Sequence, residues 1–279
     1  MFKLLKVKSW LKNLLILVPL VLDPTVYSVY TFFQALVAII SWSFMASTIY
    51  IINDILDLSD DRRHPIKKFR SIASGDVSVQ KALLVASLLL IGSSFISISL
   101  DINFLFYTYF YLFLNVIYSA RLKKAKYLDI LLLSYFFILR LQAGAIVTGT
   151  NLSYWLILMA IFVFLSIAAD KRYKEMVIFD RISEARGYTE KDIQFLGSLR
   201  VILLFMALLF FNLFLFLTLK TDSSIVLIIV NYFLVYIGII FLNDLKTDDP
   251  VSFIFNNYWI FIVLFILLAF IVMHKLNII

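Results

Sequence analysis

Apolar stretches dominate this chain and are separated by short charged loops. About nine of them occur, at roughly residues 9–23, 30–52, 79–99, 102–119, 128–148, 153–170, 197–219, 223–242 and 253–273. An α-helix needs about 20 residues to cross a hydrocarbon core of about 30 Å, and most of these stretches approach that length. The third and fourth stretches are separated only by a short turn near Asp101, and the first contains Pro19. The pattern predicts an all-α fold, a polytopic membrane helical bundle of about nine transmembrane helices.

The composition agrees with a membrane protein. Of the 279 residues, 63% are hydrophobic and the mean hydropathy is +0.98, whereas soluble domains are roughly half apolar. No Gly/Ser-rich linker or low-complexity segment interrupts the chain, so a single transmembrane domain is expected over residues 1–279. The first stretch follows a short basic segment, as in a signal peptide. Because no small-residue cleavage site follows and more stretches come after, it is interpreted as a membrane helix.

Basic residues are concentrated in alternate loops. The N-terminal segment and the loops at 53–78, 120–127 and 171–196 hold most of the Lys and Arg residues, and the other loops hold almost none. Loops rich in Lys and Arg stay on the cytoplasmic side. The net charge of +7 is therefore interpreted as membrane topology rather than nucleic-acid binding. The N-terminus and the charged loops are expected to face the cytoplasm, in a multi-pass protein of the cell membrane.

The chain lacks cysteine and has two histidines. Disulfides, thiolate catalysis and sites built from several histidines are therefore excluded. A bound metal would need oxygen ligands, which favours Mg²⁺, Ca²⁺ or Mn²⁺.

One aspartate-rich stretch stands out at the end of the second apolar segment. If the helix continues, Asp54, Asp57 and Asp61 lie at i, i+3 and i+7 on one face. Three carboxylates on one face repel each other unless cations compensate them, and Mg²⁺ carrying a diphosphate is the natural partner. The predicted metal ligands are Asn53, Asp54, Asp57 and Asp61, with Arg62, Lys67 and Arg70 as contacts to phosphate. The alternative is a solvated, salt-bridged loop at a membrane boundary.

The same stretch resembles the first signature of the UbiA superfamily of intramembrane prenyltransferases. The resemblance rests on Asn53, Asp54, Asp57, Asp61, Arg62, His64, Pro65, Lys67, Arg70, Ile72, Ala73, Ser74 and Gly75. Ser71 departs from the pattern, which usually has proline there. The resemblance implies a fold of nine helices and a Mg²⁺-dependent active site on the cytoplasmic side. His64 has no evident ligand partners and is interpreted as structural.

A second polar cluster follows the sixth apolar stretch. Most prenyl-transferring members of the superfamily have an Asp-x-x-x-Asp pair here. In this chain the first position is Asp170, but the position of the second aspartate, four residues later, is Lys174. Lys171, Arg172 and Glu175 instead resemble the branch of decaprenyl-phosphate phosphoribosyltransferases. That resemblance implies phosphoribosyl diphosphate as donor and a polyprenyl phosphate as acceptor. The alternative is a positive-inside anchor in which Arg172 and Glu175 pair at i, i+3.

Shorter matches to the same branch add further candidate substrate contacts. They are Trp10-x-Lys12-Asn13, the segment from Asn115 through Tyr118, Ser119, Leu122 and Lys123 to Asp129, and Leu139-Arg140 with Ala143-Gly144. From these, Lys12, Tyr118, Lys123 and Arg140 join Lys171 and Arg172 as predicted substrate-binding residues. A charge at the depth of Arg140 costs several kcal/mol unless it is paired or faces a wet cavity. It is therefore expected either to contact a substrate phosphate or to fix helix packing.

The predicted function is transfer of 5-phosphoribosyl from phosphoribosyl diphosphate to a decaprenyl-type polyprenyl phosphate, with release of diphosphate. The product would supply cell-envelope glycan synthesis. Asp54, Asp57, Asp61 and Glu175 are the predicted catalytic residues, and Mg²⁺ is the predicted cofactor. One alternative is an aromatic-acid polyprenyltransferase of quinone biosynthesis. A non-enzymatic alternative is a membrane transporter or lipid-binding scaffold.

Overall fold

All regular structure in the described residues is helical, as predicted. A computed structural model describes residues 2–23, 26–178, 187–218 and 224–244, together with 253, 256, 257, 259, 260 and 262. The longer helices are α3 (Val29–Leu56), α5 (Val79–Leu100), α6 (Ile102–Ala120), α7 (Leu128–Thr148), α8 (Tyr154–Ile178), α9 (Asp192–Leu213) and α10 (Ser224–Asn243). The shorter ones are α1 (Phe2–Leu5), α2 (Val18–Leu22) and α4 (Leu58–Arg63).

Six of the described helices, α3 and α5 to α9, are long and apolar enough to cross a membrane. They correspond to the second to seventh predicted stretches, and they make the chain an integral membrane protein. The eighth stretch forms α10, and most of the ninth lies outside the described residues. The total of nine helices and the cytoplasmic N-terminus therefore stay predictions.

The first predicted span is not a single α-helix. Residues Val7–Leu17 form a 3₁₀ helix, which follows Lys6 in the left-handed backbone region (φ 49°, ψ 46°). The short helix α2 then starts at Val18 with Pro19 in its first turn. Because proline has no backbone N–H, an α-helix cannot keep its hydrogen-bond ladder through this position. The prediction of one span over 9–23 is thus corrected to two short helical pieces.

The residues group into two compact units, and α7 contributes to both. The first unit comprises Met1–Lys123 and Leu139–Thr150, and the second comprises Lys124–Ile138 and Asn151–Ile279. The single domain over 1–279 stays a prediction.

In the first unit, α5 packs on α3 through small side chains. Ala82, Ala86, Ser93 and Ser97 of α5 are buried, and the Ser41 hydroxyl of α3 lies 2.8 Å from the Ser97 hydroxyl. Small residues let two membrane helices approach closely. The opposite face of α5 exposes a stripe of large apolar side chains, Leu84, Leu88, Ile91, Phe95 and Ile98. This face is suited to contact with lipid. The turn predicted at Asp101 is confirmed, since its carboxylate caps α6 by accepting from the Asn103 N–H at 2.6 Å.

In the second unit, α8 and α9 pack together around a small apolar core. Its buried residues are Ile130, Ala168, Ala169, Met176, Tyr188 and Leu196. This core supports the end of α8 that carries the second polar cluster.

Candidate active site

The aspartate-rich stretch continues the path of α3 with one irregularity. Helix α3 ends at Leu56, Asp57 takes φ −91° and ψ 7°, and α4 begins at Leu58. Helical hydrogen bonds span the junction, because the Asp57 N–H donates to Asn53 O at 2.9 Å and the Asp61 N–H donates to Asp57 O at 2.8 Å. The helical continuation assumed from the spacing is therefore largely present.

Asp54 and Asp61 are brought together by one arginine. Both residues are buried, with exposures of 4% and 2%. Arg70 Nη1 lies 3.0 Å from Asp54 Oδ1 and 2.7 Å from Asp61 Oδ2. Lys6 Nζ also contacts Asp54 Oδ1, at 2.7 Å. Two buried carboxylates are thus compensated by two cations whose side chains are partly exposed. Sequence reasoning missed Lys6, whose sole signal was its place in the basic N-terminal segment.

Asp57 has a different partner. Its carboxylate pairs with Lys123, and both side chains are about one-fifth exposed. The predicted face of three carboxylates is therefore divided into a pair on Arg70 and a single group on Lys123. Across the described ranges, no three or more His, Cys, Asp or Glu side chains are grouped as they would be around a metal ion. The donor set is nevertheless chemically suited to Mg²⁺, since it consists of carboxylate oxygens that already require positive charge nearby.

The loop after α4 is ordered by His64. Its Nδ1 accepts from the N–H groups of Ile66 and Lys67, each at 3.2 Å. Partial burial, followed by the charge of Lys67, lowers the pKa of His64, which keeps Nδ1 available as an acceptor. This arrangement agrees with the structural role expected for His64. Of the other predicted contacts, Arg62 is exposed, and Asn53 and Lys67 are half-buried.

Arg140 is buried between neutral oxygen atoms. Its exposure is 4%. Nε donates to Asn13 Oδ1 at 3.0 Å, and Nη2 donates to Tyr111 Oη at 2.8 Å. One turn further along α7, a Cβ added to Gly144 would meet Ile16 O at 2.2 Å. Arg140 and Gly144 therefore hold the N-terminal 3₁₀ helix close to α7, as the packing alternative expected. The contact of Arg140 with a substrate phosphate stays a prediction, as do the roles of the half-buried Lys12 and Tyr118.

The second unit contains a buried network around Arg172. Its guanidinium pairs through Nε with Asp129 and through Nη1 with Glu175 Oε2 at 2.5 Å. The Tyr188 hydroxyl donates to Asp129 Oδ1 at 2.6 Å and accepts from the Tyr127 N–H at 3.0 Å. Burial, followed by the hydrogen bond to Asp129, raises the pKa of Tyr188 above its usual range, so its hydroxyl stays a donor. The i, i+3 pair of Arg172 and Glu175 is thus present.

Asp129 and Tyr188 were missed as site residues. The sequence indicated Asp129 only as the last residue of a short match to the phosphoribosyltransferase branch. Tyr188 is 59 positions away along the chain, and periodicity carries no signal for such a contact. Lys171, the remaining predicted contact on this helix, is half-buried.

A separate buried cluster surrounds Asp170. Lys174 Nζ lies 2.7 Å from Asp170 Oδ2, and Arg200 Nη1 lies 2.6 Å from Asp170 Oδ1. The same two cations donate to backbone carbonyls of Phe241 and Leu242, at 2.8 and 2.9 Å. Where the Asp-x-x-x-Asp pattern would place a second carboxylate, this chain places an ammonium group that neutralises the first.

Comparison with known proteins gives the family context. The chain matches the model of the UbiA prenyltransferase family over residues 16–265. It is 36% identical over 186 residues to a decaprenyl-phosphate phosphoribosyltransferase of Corynebacterium glutamicum, covering 65% of this chain and 56% of that protein. It is 32% identical over 208 residues to the protein of the same name from Mycolicibacterium smegmatis, covering 71% and 65%. In both cases the alignment spans less than two thirds of the relative's own length.

The fold is also that of solved structures. A UbiA homologue from Archaeoglobus fulgidus, bound to GPP and Mg²⁺, superposes with a TM-score of 0.69 at 15% identity. The superposition covers 99% of this chain and 98% of that one. At this identity the likeness establishes the shared fold.

Proposed function

The chain belongs to the UbiA prenyltransferase family, and we propose that it is a transferase that moves 5-phosphoribosyl from phosphoribosyl diphosphate to a polyprenyl phosphate. The observation that carries the proposal is Lys174, which is buried and paired with Asp170. A buried ammonium at this position opposes a second divalent ion on Asp170. It therefore disfavours the two-aspartate chemistry expected of an aromatic prenyltransferase. The relatives named as phosphoribosyltransferases, at 36% and 32% identity, support the same choice.

The aspartate-rich cluster is proposed to bind the donor. Asp54, Asp57 and Asp61, with Asn53 beside them, are the residues that would hold Mg²⁺, and bound Mg²⁺ supplies charge neutralisation to a departing diphosphate. A homologue solved with Mg²⁺ supports this cofactor. Lys6, Arg70 and Lys123 already contact these carboxylates. Because their side chains are partly exposed, they can turn towards phosphate oxygens. The basic residues Arg62 and Lys67 add further phosphate contacts.

The buried network of the second unit is proposed to position Arg172. Asp129 and Glu175 fix the guanidinium on two sides, and a charge fixed in advance stabilises phosphate without reorganisation. Arg172 and Lys171 are proposed to bind phosphate groups, with Glu175 orienting them or the ribose hydroxyls. The attacking phosphate oxygen of the acceptor is already anionic, so no strong general base is needed. The C1–diphosphate bond breaks as the new C1–oxygen bond forms. The reaction yields polyprenyl-phosphoryl-5-phosphoribose and diphosphate, and we place it at the cytoplasmic face.

The test is an assay of the purified protein with Mg²⁺ in lipid. Radiolabelled phosphoribosyl diphosphate with polyprenyl phosphate is offered in one reaction, and prenyl diphosphate with an aromatic acid in another. Label is expected to enter the lipid fraction only with the first pair and only with metal. Product from the second pair alone would identify an aromatic prenyltransferase, and no product from folded protein would favour a transporter or scaffold.

The double variant Asp54→Asn/Asp57→Asn tests the metal assignment. Turnover is expected to be lost while the protein stays folded, because neutral amides bind Mg²⁺ far more weakly than carboxylates do. Asp60→Asn is the matched control, since Asp60 is an exposed aspartate of the same stretch and is expected to leave turnover unchanged. Full turnover in the folded double variant would overturn the assignment.

A further inference from the structure

The loop between α4 and α5 exposes two large apolar side chains among cations. Ile66 is 63% exposed and Phe69 is 70% exposed. Residues 62–70 contain five Lys or Arg residues and no Asp or Glu. Lys68 Nζ lies over the Phe69 ring, 5.2 Å from its centroid. A contiguous exposed apolar patch rimmed by polar groups is typical of an interaction surface.

The local backbone gives this loop two faces. Residues Lys67–Phe69 form a 3₁₀ turn, in which positions three apart lie on the same side. Ile66 and Phe69 therefore share one face, and Lys67 and Arg70 share another. The second face is directed to the aspartates, because Arg70 contacts both Asp54 and Asp61. The first face is left exposed.

The loop is also held in place. Its inner side is tied to the buried aspartates by Arg70, and its start is tied by the two hydrogen bonds to His64 Nδ1. The exposed pair is thus presented on an ordered turn. This turn lies in the connection between two helices long enough to cross a membrane, α3 and α5, and such a connection runs close to the bilayer surface.

We propose that Ile66 and Phe69, with Lys68 beside the Phe69 ring, form a membrane-docking surface that enters the headgroup region and prefers anionic lipids. Phe side chains are among those that interfacial segments bury at the boundary between headgroups and acyl chains. Long basic side chains can keep their charge at the headgroups while their stems stay in apolar surroundings. The positive charges of the exposed Arg63 and Lys68 are complementary to acidic phospholipid headgroups. This inference does not depend on which substrate the aspartates bind.

The absence of native cysteine allows a direct test. Phe69→Cys is labelled with an environment-sensitive fluorophore in the full-length protein, reconstituted in nanodiscs of phosphatidylcholine with or without phosphatidylglycerol. Asp76→Cys is the matched control, since Asp76 is an exposed polar residue of the same connection. Emission at position 69 is expected to shift to the blue, and lipids with a headgroup-proximal nitroxide are expected to quench it. Position 76 is expected to show neither effect.

Selectivity is measured by placing the nitroxide on either phospholipid at equal mole fraction. Quenching at position 69 is expected to be stronger from labelled phosphatidylglycerol. In an Arg63→Gln/Lys68→Gln background that preference is expected to fall several-fold, since each basic residue near a charged surface contributes up to about fivefold. Equal emission at 69 and 76 without lipid quenching would overturn docking. Blue-shifted emission without lipid quenching would indicate a protein contact instead, and equal quenching by both lipids would overturn the anionic preference.

Discussion

Replacing Gly144 by alanine tests whether the N-terminal 3₁₀ helix is held against α7 by close backbone packing. A Cβ at this position would lie 2.2 Å from Ile16 O and 2.9 Å from Ile16 C. Both atoms belong to the backbone, so no side-chain rotation relieves the overlap. The 3₁₀ helix and α7 would have to separate by about 1 Å to reach ordinary contact near 3.4 Å. Such overpacking typically costs about 1–3 kcal/mol.

Gly92 provides the matched control. It lies inside α5, and an added Cβ would approach only the Phe44 side chain, at 3.4 Å. Both substitutions gain about 1 kcal/mol of helix propensity, so the difference between the two variants isolates the overlap at Ile16. Gly144→Ala is therefore expected to be less stable than Gly92→Ala by about 1–3 kcal/mol.

The functional consequence should exceed the loss of stability. Lys6 lies at the start of the segment that must move, and Lys12 lies within it. Arg140 holds this segment through its hydrogen bond to Asn13 Oδ1 at 3.0 Å. Displacing binding groups by about 1 Å can lower a rate by about 100-fold. The assay is thermal unfolding in detergent, followed by transfer activity on the fraction that remains folded. Equal melting temperatures and equal activities for the two alanine variants would refute the close approach of the N-terminal segment to α7.

The remaining predictions concern the second unit. Asp170→Asn is expected to cost about 3–5 kcal/mol because it leaves Lys174 and Arg200 buried without their carboxylate. Lys174→Met leaves the Asp170–Arg200 pair in place and should therefore lower the free energy of unfolding by less. Equal losses of stability in thermal unfolding would contradict the pairing of Asp170 with both cations. Tyr188→Phe removes a charge-assisted hydrogen bond to Asp129 worth about 1.5–3 kcal/mol, so the KM for the phosphate substrate that Arg172 binds, measured for donor and acceptor in turn, should rise more than kcat falls. Tyr127→Phe is the comparison variant, and a Tyr188→Phe enzyme with unchanged KM would remove Tyr188 from the positioning of Arg172.

Several features of the fold could be predicted from local sequence, because each depends on residues that are close together along the chain. Six apolar stretches form helices that are long and apolar enough to cross a membrane. In lipid the backbone N–H and C=O groups must be hydrogen-bonded within the protein, and a helix satisfies them within a single segment. The turn at Asp101 followed in the same way from a single capping residue. The family signature around Asp54 was likewise contiguous, and the family assignment is confirmed by the match over residues 16–265.

The pairing of charges depended on tertiary structure. Spacing put Asp54, Asp57 and Asp61 on one face, but Asp57 pairs apart from the other two with Lys123, which is 66 positions away along the chain. The break in the first span follows from Pro19, whose missing backbone N–H is not registered by an average over apolar residues.

What the sequence by itself determined is therefore the class of the protein: helical, membrane-embedded, and equipped with an acidic motif suited to a metal-bound phosphate. Only the tertiary structure decided that Arg172 is fixed by Asp129, and Asp129 in turn by Tyr188. The physical reason is the distance along the chain over which each effect acts. Hydrophobic periodicity and motif spacing act over a few helical turns, whereas the partner of a buried charge is whichever group the packed chain brings within about 3 Å.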